Sequence, residues 1–308
     1  MANITTIYSL ANFVDCICKL SDFPREEMDH HRYVHLFRGQ ASAEHALLPS
    51  IGRGRDFAAD ITIFNEERNL IEMAKYRMPD VFRDDLLPVE LLALLQHHGI
   101  PTRLLDITEN ALVALYFACC SDFEKDGEVI VFRHKEDDVT MYPVINAIAD
   151  SYRLARGTFT FLDLFYGAAK KQPYCLEQLQ SYEICHNDDK AGGKWIEECC
   201  QDILYIYAPF RTPRQQAQQG RYILFPNNIV SKPEGNSYFE KILAPISKEH
   251  EDIVARFIIP KELKEKLLLN LSIFGITESA LFCDNIDIVC QEIKNTFTRE
   301  INTSNFSV

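Results

Sequence analysis

With 308 residues, 47% of them hydrophobic and 25% charged, the chain is long enough to bury a sizeable core. This usage excludes a disordered chain, a collagen-like chain and a small disulfide-stapled scaffold. The 32 basic and 45 acidic residues leave a formal net charge of −13, so the global basic field of non-specific nucleic-acid binders is absent, while a local basic groove stays open.

No basic-then-apolar start follows Met1, and no run nears the ~20 apolar residues of a membrane span. A soluble, cytoplasmic protein without a membrane partner is expected. Ten cysteines form no CxxC pair, so they read as buried, reduced thiols rather than zinc ligands. Apolar spacing predicts a helix over 10–20 and a second one restarting at Pro24. Val34-His35-Leu36-Phe37 reads as a strand ending at Arg38-Gly39-Gln40. A helix is predicted over 62–78. Another begins at Pro88, carries Leu91, Leu92, Leu94 and Leu95, and ends at Gly99 before Pro101. Residues 103–107 read as a buried strand. Thr108-Glu109-Asn110 opens a helix, and Val129-Ile130-Val131-Phe132 forms a further strand.

Beyond Lys135 the pattern turns helical. Helices are predicted over 145–155, 159–169 and 195–200, with a polar loop at 186–193. Strands return at 203–207, 222–225 and 255–259. Pro260 starts a helix that ends near Gly275, and Asp284 caps a last helix with Ile286, Val289, Cys290 and Ile293 on one face. The expected organisation is an N-terminal helical segment (1–31), a core (32–134), a mostly helical insertion (135–201) and strands and helices completing the same domain (202–308). The fold class is α+β with a central mixed sheet.

Three clusters are richer in polar groups than their apolar surroundings require: Phe37-Arg38-Gly39-Gln40, residues 96–108, and residues 214–222. An arginine followed by glycine at a strand end makes a good anion clamp, because guanidinium binds phosphate bidentately and glycine lets backbone approach. Each candidate also has a structural reading. Arg38 and Arg103 are both candidates to pair with Asp106, since an unpaired buried charge is costly. Thr108 is a good helix N-cap. His97 and His98 suit a helix C-terminus. His30, His31 and His35 read as solvated surface.

These clusters resemble the FRG domain family. Phe37-Arg38-Gly39-Gln40 is similar to its naming signature. Gln96-His97-His98-Gly99-Ile100-Pro101-Thr102-Arg103-Leu104-Leu105-Asp106 resembles its QH-aromatic-G-aliphatic-PTRLLD stretch. Ala114-Leu115-Tyr116-Phe117-Ala118, Gln218-Gln219-Gly220-Arg221-Tyr222 and Gly275-Ile276-Thr277-Glu278 continue the likeness. His98 replaces the usual aromatic, and Cys283 stands where proline is usual. The resemblance implies a bacterial, phage-associated setting.

The order of strand, Thr108, helix and strand is also similar to mono-ADP-ribosyltransferases of the arginine–serine–glutamate class. That likeness implies an ADP-ribosyltransferase-like sheet and NAD as substrate, used in phage defence or as a toxin. Arg38 would clamp the pyrophosphate, Thr108 and Gln96 would line the ribose and nicotinamide side, and Gln218 would stand near the place of the third-motif glutamate, which this chain lacks. Glu278 is the reserve carboxylate. Gln40, His97, Thr102, Arg103, Asp106 and Arg214 complete the candidate ligand-binding set. No metal ligands are expected, and a protein or nucleic-acid target would accept the transferred group. The alternatives are a non-catalytic nucleotide- or RNA-binding module and an antitoxin-like interaction protein.

Overall fold

The structure, a computed structural model, describes residues 3–20, 33–53, 63–135, 143–155, 157–175, 188–206, 212–232, 236–285 and 290. The strands are β1 (Asn3–Thr6), β2 (Tyr33–Gln40), β3 (Leu104–Thr108), β4 (Gly127–Lys135), β5 (Phe159–Phe161), β6 (Leu204–Ile206), β7 (Gly220–Leu224), β8 (Asn228–Val230), β9 (Tyr238–Glu240) and β10 (Ile253–Ile259). The helices are α1 (Leu10–Leu20), α2 (Glu67–Arg77), α3 (Pro88–His97), α4 (Ala111–Cys119), α5 (Pro143–Ala149), α6 (Ser151–Leu154), α7 (Leu162–Ala169), α8 (Asp189–Cys199), α9 (Pro213–Ala217), α10 (Lys264–Ile273) and α11 (Glu278–Leu281).

Seven strands form one sheet in the order β1-β10-β4-β2-β3-β7-β6, and β5-β9-β8 form a small second sheet. In the large sheet β1 runs parallel to β10 and the other pairs are antiparallel, so the sheet is mixed and the class is α+β. Strand β4, interior to this sheet between β10 and β2, shows why the continuous apolar run at 129–132 becomes a strand buried on both faces. Val129 and Val131 pack with α1, α4 and α10. Ile130 and Phe132 pack with Leu36, Leu105, Ile107 and Ile223 on the other side. A third apolar cluster joins β3, β6 and β7 to α2, α3 and α5 to α8. Among the described residues no helix is long and apolar enough to cross a membrane.

Several sequence expectations need correction. The first 31 residues are not only helical: Asn3–Thr6 forms an edge strand of the main sheet. Residues 159–161 are strand rather than helix, because they pair with β9. The helix expected at 195 starts at Asp189 and runs through Gly192 and Gly193. There a Cβ would lie 2.2 Å from the Tyr166 ring at Gly192 and 2.8 Å from the Asp163 nitrogen at Gly193; the glycines permit close packing on α7. Cysteines 18, 283 and 290 are exposed rather than buried, and the described cysteines are free thiols. The helix expected at Pro24, His30, His31 and most of the last helix lie outside the described residues.

Candidate functional site

Each residue of the Phe37–Gln40 stretch has a separate role. Phe37 is buried against Val113, Ala114 and Val131. A Cβ on Gly39 would stand 1.9 Å from the Ala114 carbonyl oxygen, so glycine lets α4 lie directly against β2. Gln40, only 3% exposed, accepts from Arg38 Nε at 3.3 Å and donates to the His45 carbonyl at 3.1 Å. It therefore ties the guanidinium to the following loop. Among the described residues β2 and β3 share the single register pair Phe37–Thr108. Beyond that pair the Asp106 carbonyl accepts from Arg38 Nη1 at 2.6 Å.

The second cluster divides into an open half and a closed half. Gly99, at φ +81°, ends α3 in a conformation that favours glycine, and the chain returns as β3. The Thr102 hydroxyl donates to Gln96 Oε1, and Gln96 Nε2 donates to Asp106 Oδ1 at 2.9 Å. Thr102 and Gln96 thus aim the exposed Asp106 carboxylate. Arg103 is elsewhere. It is 0% exposed, forked onto Glu67, bonded to Asn227 Oδ1 at 3.0 Å and packed over Phe64. The expected Arg103–Asp106 pair is corrected to Arg103–Glu67, and Arg103 serves the core rather than a ligand.

Thr108 is not the helix cap. Asn110 caps α4, with its Oδ1 accepting from the Leu112 and Val113 N–H groups. The Thr108 hydroxyl donates to the Gln218 carbonyl at 2.6 Å and accepts from the Asn110 N–H at 3.0 Å, so it fastens β3 to the turn before β7.

A cleft of about 380 Å³ opens where these elements meet. Of the candidates, Arg38, Gln40, Gln96, Asp106, Thr108, Arg214 and Gln218 line it. His97, Thr102, Arg103 and Glu278 are not among its lining residues. His97 Nε2 faces Asp284 at 3.2 Å. Glu278 is exposed in the first turn of α11. Gln218 does not replace the absent glutamate, because its amide donates to the Leu281 carbonyl at 3.0 Å. The Arg214 guanidinium lies over the Phe282 ring, 4.3 Å from its centroid.

Sequence reasoning missed His45, Arg53 and Asp122, which line the same cleft. They sit on irregular backbone that no periodicity marks. His45 and Arg53 arrive because the loop after Gln40 folds back, with Ala43 N–H donating to the Asp126 carbonyl and Leu47 bridging Ile246. Burial pushes the Arg38 guanidinium down to about 10, with Asp106 opposing and Arg53 assisting; it stays charged at neutral pH. Burial and then Arg53 hold His45 below its ordinary value. Tyr222, which accepts from Gln215 Nε2 at 2.9 Å, is pushed up to about 12 by burial and by Asp106.

A second cavity of about 390 Å³ lies among residues 197–204, 223–231 and 244–250; it contains no arginine and none of the candidate residues. Neither the curated proteins nor the solved structures show a match to the chain. Residues 34–127 match the FRG domain family, and that span carries Arg38, His45, Arg53, Gln96, Asp106 and Asp122 to the cleft. The segment 34–127 is thus what the chain shares with the FRG domain, and it supplies the larger part of the cleft wall.

Proposed function

We propose that the cleft binds a phosphorylated nucleotide, with NAD the ligand that the transferase resemblance singles out, and that the protein breaks its nicotinamide–ribose bond. The supporting observation is that the Arg38 guanidinium and the Asp106 carboxylate line one cleft and are joined through the Asp106 main chain. In this reading Arg38 holds the pyrophosphate by charge-assisted hydrogen bonds. Asp106, aimed by Gln96, takes the role of the absent glutamate: it faces the ribose and stabilises positive charge as it develops at C1′.

The C1′–N bond breaks with its electron pair leaving on nicotinamide. Water adds its oxygen to C1′ and releases a proton, giving ADP-ribose. A protein or nucleic-acid acceptor in place of water would turn cleavage into transfer, in the phage-defence or toxin setting that the resemblance implies. Thr108 acts here as a wall fastener rather than as a catalytic residue.

The test is nicotinamide release from NAD, read by chromatography, beside a thermal-shift titration. Wild type is expected to release nicotinamide. Arg38→Ala should neither release it nor shift with NAD. Asp106→Asn should keep the thermal shift and lose turnover by about 10²–10³-fold, the range for removing one preorganised electrostatic group. Binding without release would leave a non-catalytic nucleotide module. Absence of both release and shift would remove NAD.

A further inference from the structure

We propose that Arg53 and His45 complete, with Arg38, a phosphate-binding subsite at one end of the cleft, so that the ligand lies with its phosphate against the 41–53 loop and its uncharged part along β3 and β7. The inference deepens the nucleotide reading of the same cleft and rests on it for the ligand's class.

Arg38 stands between two different environments. Towards β3 it meets the Asp106 carbonyl, beside which lie the Asp106 carboxylate, Gln96 and the Gln215–Tyr222 pair. Towards the loop, Gln40 connects it to the His45 carbonyl, and Arg53 is anchored by Nε on the Leu48 carbonyl at 3.1 Å. One end therefore gathers three cationic or basic side chains, while the other offers amides, a phenol, a carboxylate and a single guanidinium, that of Arg214, which lies over the Phe282 ring. A molecule with phosphate at one end and a sugar or base at the other matches that polarity.

The cations also repel one another. Arg53 disfavours the charge on Arg38, and both arginines disfavour a proton on His45. The groups that face His45 are Arg53, Asp122, Lys125 and Arg38. Asp122 Oδ2 stands 3.8 Å from the ring, and Lys125 is already paired with Glu44 at 2.8 Å. Two carboxylates, Asp122 beside His45 and Asp106 beside Arg38, thus face two guanidiniums and an imidazole, with Glu44 also acting on the ring while paired to Lys125.

Among the described residues neither amino group of Arg53 nor Nη2 of Arg38 meets a protein acceptor, and the His45 ring makes no hydrogen bond. Cations drawn from two segments suit the several acceptor oxygens of a phosphate better than the two of a carboxylate, which one guanidinium fork satisfies.

Titration calorimetry of the full chain at low salt tests this with inorganic pyrophosphate, AMP and adenosine. Pyrophosphate and AMP should bind, with adenosine at least about tenfold weaker. Arg53→Gln should weaken pyrophosphate by about tenfold or more, and Arg53→Lys should recover part of that loss. Lys125→Gln removes a neighbouring charge outside the cleft lining and should change little. An anion favours the imidazolium, so wild-type affinity should be higher at about pH 5.5 than at about pH 8, and His45→Gln should flatten the difference. Unchanged pyrophosphate affinity in Arg53→Gln, or an equal loss in Lys125→Gln, overturns the subsite. The nicotinamide assay separates the two ideas. Arg53-dependent pyrophosphate binding without nicotinamide release keeps the subsite and removes NAD; NAD turnover with an unchanged KM in Arg53→Gln does the reverse.

Discussion

Gly39 is packed so closely against the Ala114 carbonyl that Gly39→Ala must push α4 off β2. Overpacking of this kind costs about 1–3 kcal/mol and sometimes more. Urea unfolding is expected to show a loss at the upper end of that range, and an unchanged midpoint would contradict the packing account. Glu67→Gln makes a second residue-scale prediction. It removes the charge opposite Arg103, both side chains being buried, and breaking such a pair costs about 3–5 kcal/mol. Stability should fall while ligand affinity per folded molecule stays unchanged, because the pair lies outside the cleft. Arg38 was legible as a cleft residue from its strand-end place before glycine. The partner of Arg103 was not: nothing in the sequence singles out Glu67 within the helix predicted over 62–78, and only the tertiary packing of α2 turns it inward. Arg53 and His45 gave no local signal, since their position depends on loop contacts with Asp126 and Ile246.

At the scale of elements, α8 illustrates how context overrides propensity. Two adjacent glycines read as loop because each weakens an exposed helix by roughly 1 kcal/mol relative to alanine. Here α7 lies against them, and the absent Cβ atoms are what allow the contact. Gly193→Ala is therefore expected to lower the urea midpoint, whereas the same change in an open helix would raise it. The segment from Thr277 to Asn285 is another element whose role sequence did not reveal. It reaches the cleft wall twice, through Leu281 to Gln218 and Phe282 to Arg214, and meets His97 behind that wall through Asp284. Phe282→Ala should free the Arg214 guanidinium and weaken nucleotide binding several-fold, with a smaller effect on melting. An unchanged affinity would make Phe282 a packing residue alone. By contrast, α1, α3 and α4 were legible because a broad apolar face and a clear stop signal coincide in each.

For the whole molecule, pH should act through histidines that folding keeps from ionising. Burial lowers His35, His45 and His97, with Arg133 adding to the effect at His35 and Asp284 opposing it at His97. The unfolded chain then binds more protons than the folded one, so stability is full above the ordinary histidine value of about 6.5 and falls as pH drops through it. The melting temperature should decline from about pH 7 to pH 5, and His35→Gln should reduce the decline. The mixed sheet was legible as a class but its strand order was not, since neighbours are chosen across long separations. The FRG segment contributes β2 and β3, whose further neighbours β4 and β7 run beyond residue 127; a fragment of residues 34–127 should show no cooperative melting by circular dichroism. The position of β10 beside β4 has a consequence for synthesis on the ribosome. At about 5–20 residues per second, on the order of 6–24 s separates the emergence of Lys135 from that of Ile253. Throughout that interval β4 presents an unpaired edge, and Arg214, Tyr222 and β7 are added before it is covered. A partly made chain therefore completes its cleft lining while one edge of β4 still lacks its partner, the kind of border on which strands of other chains pair.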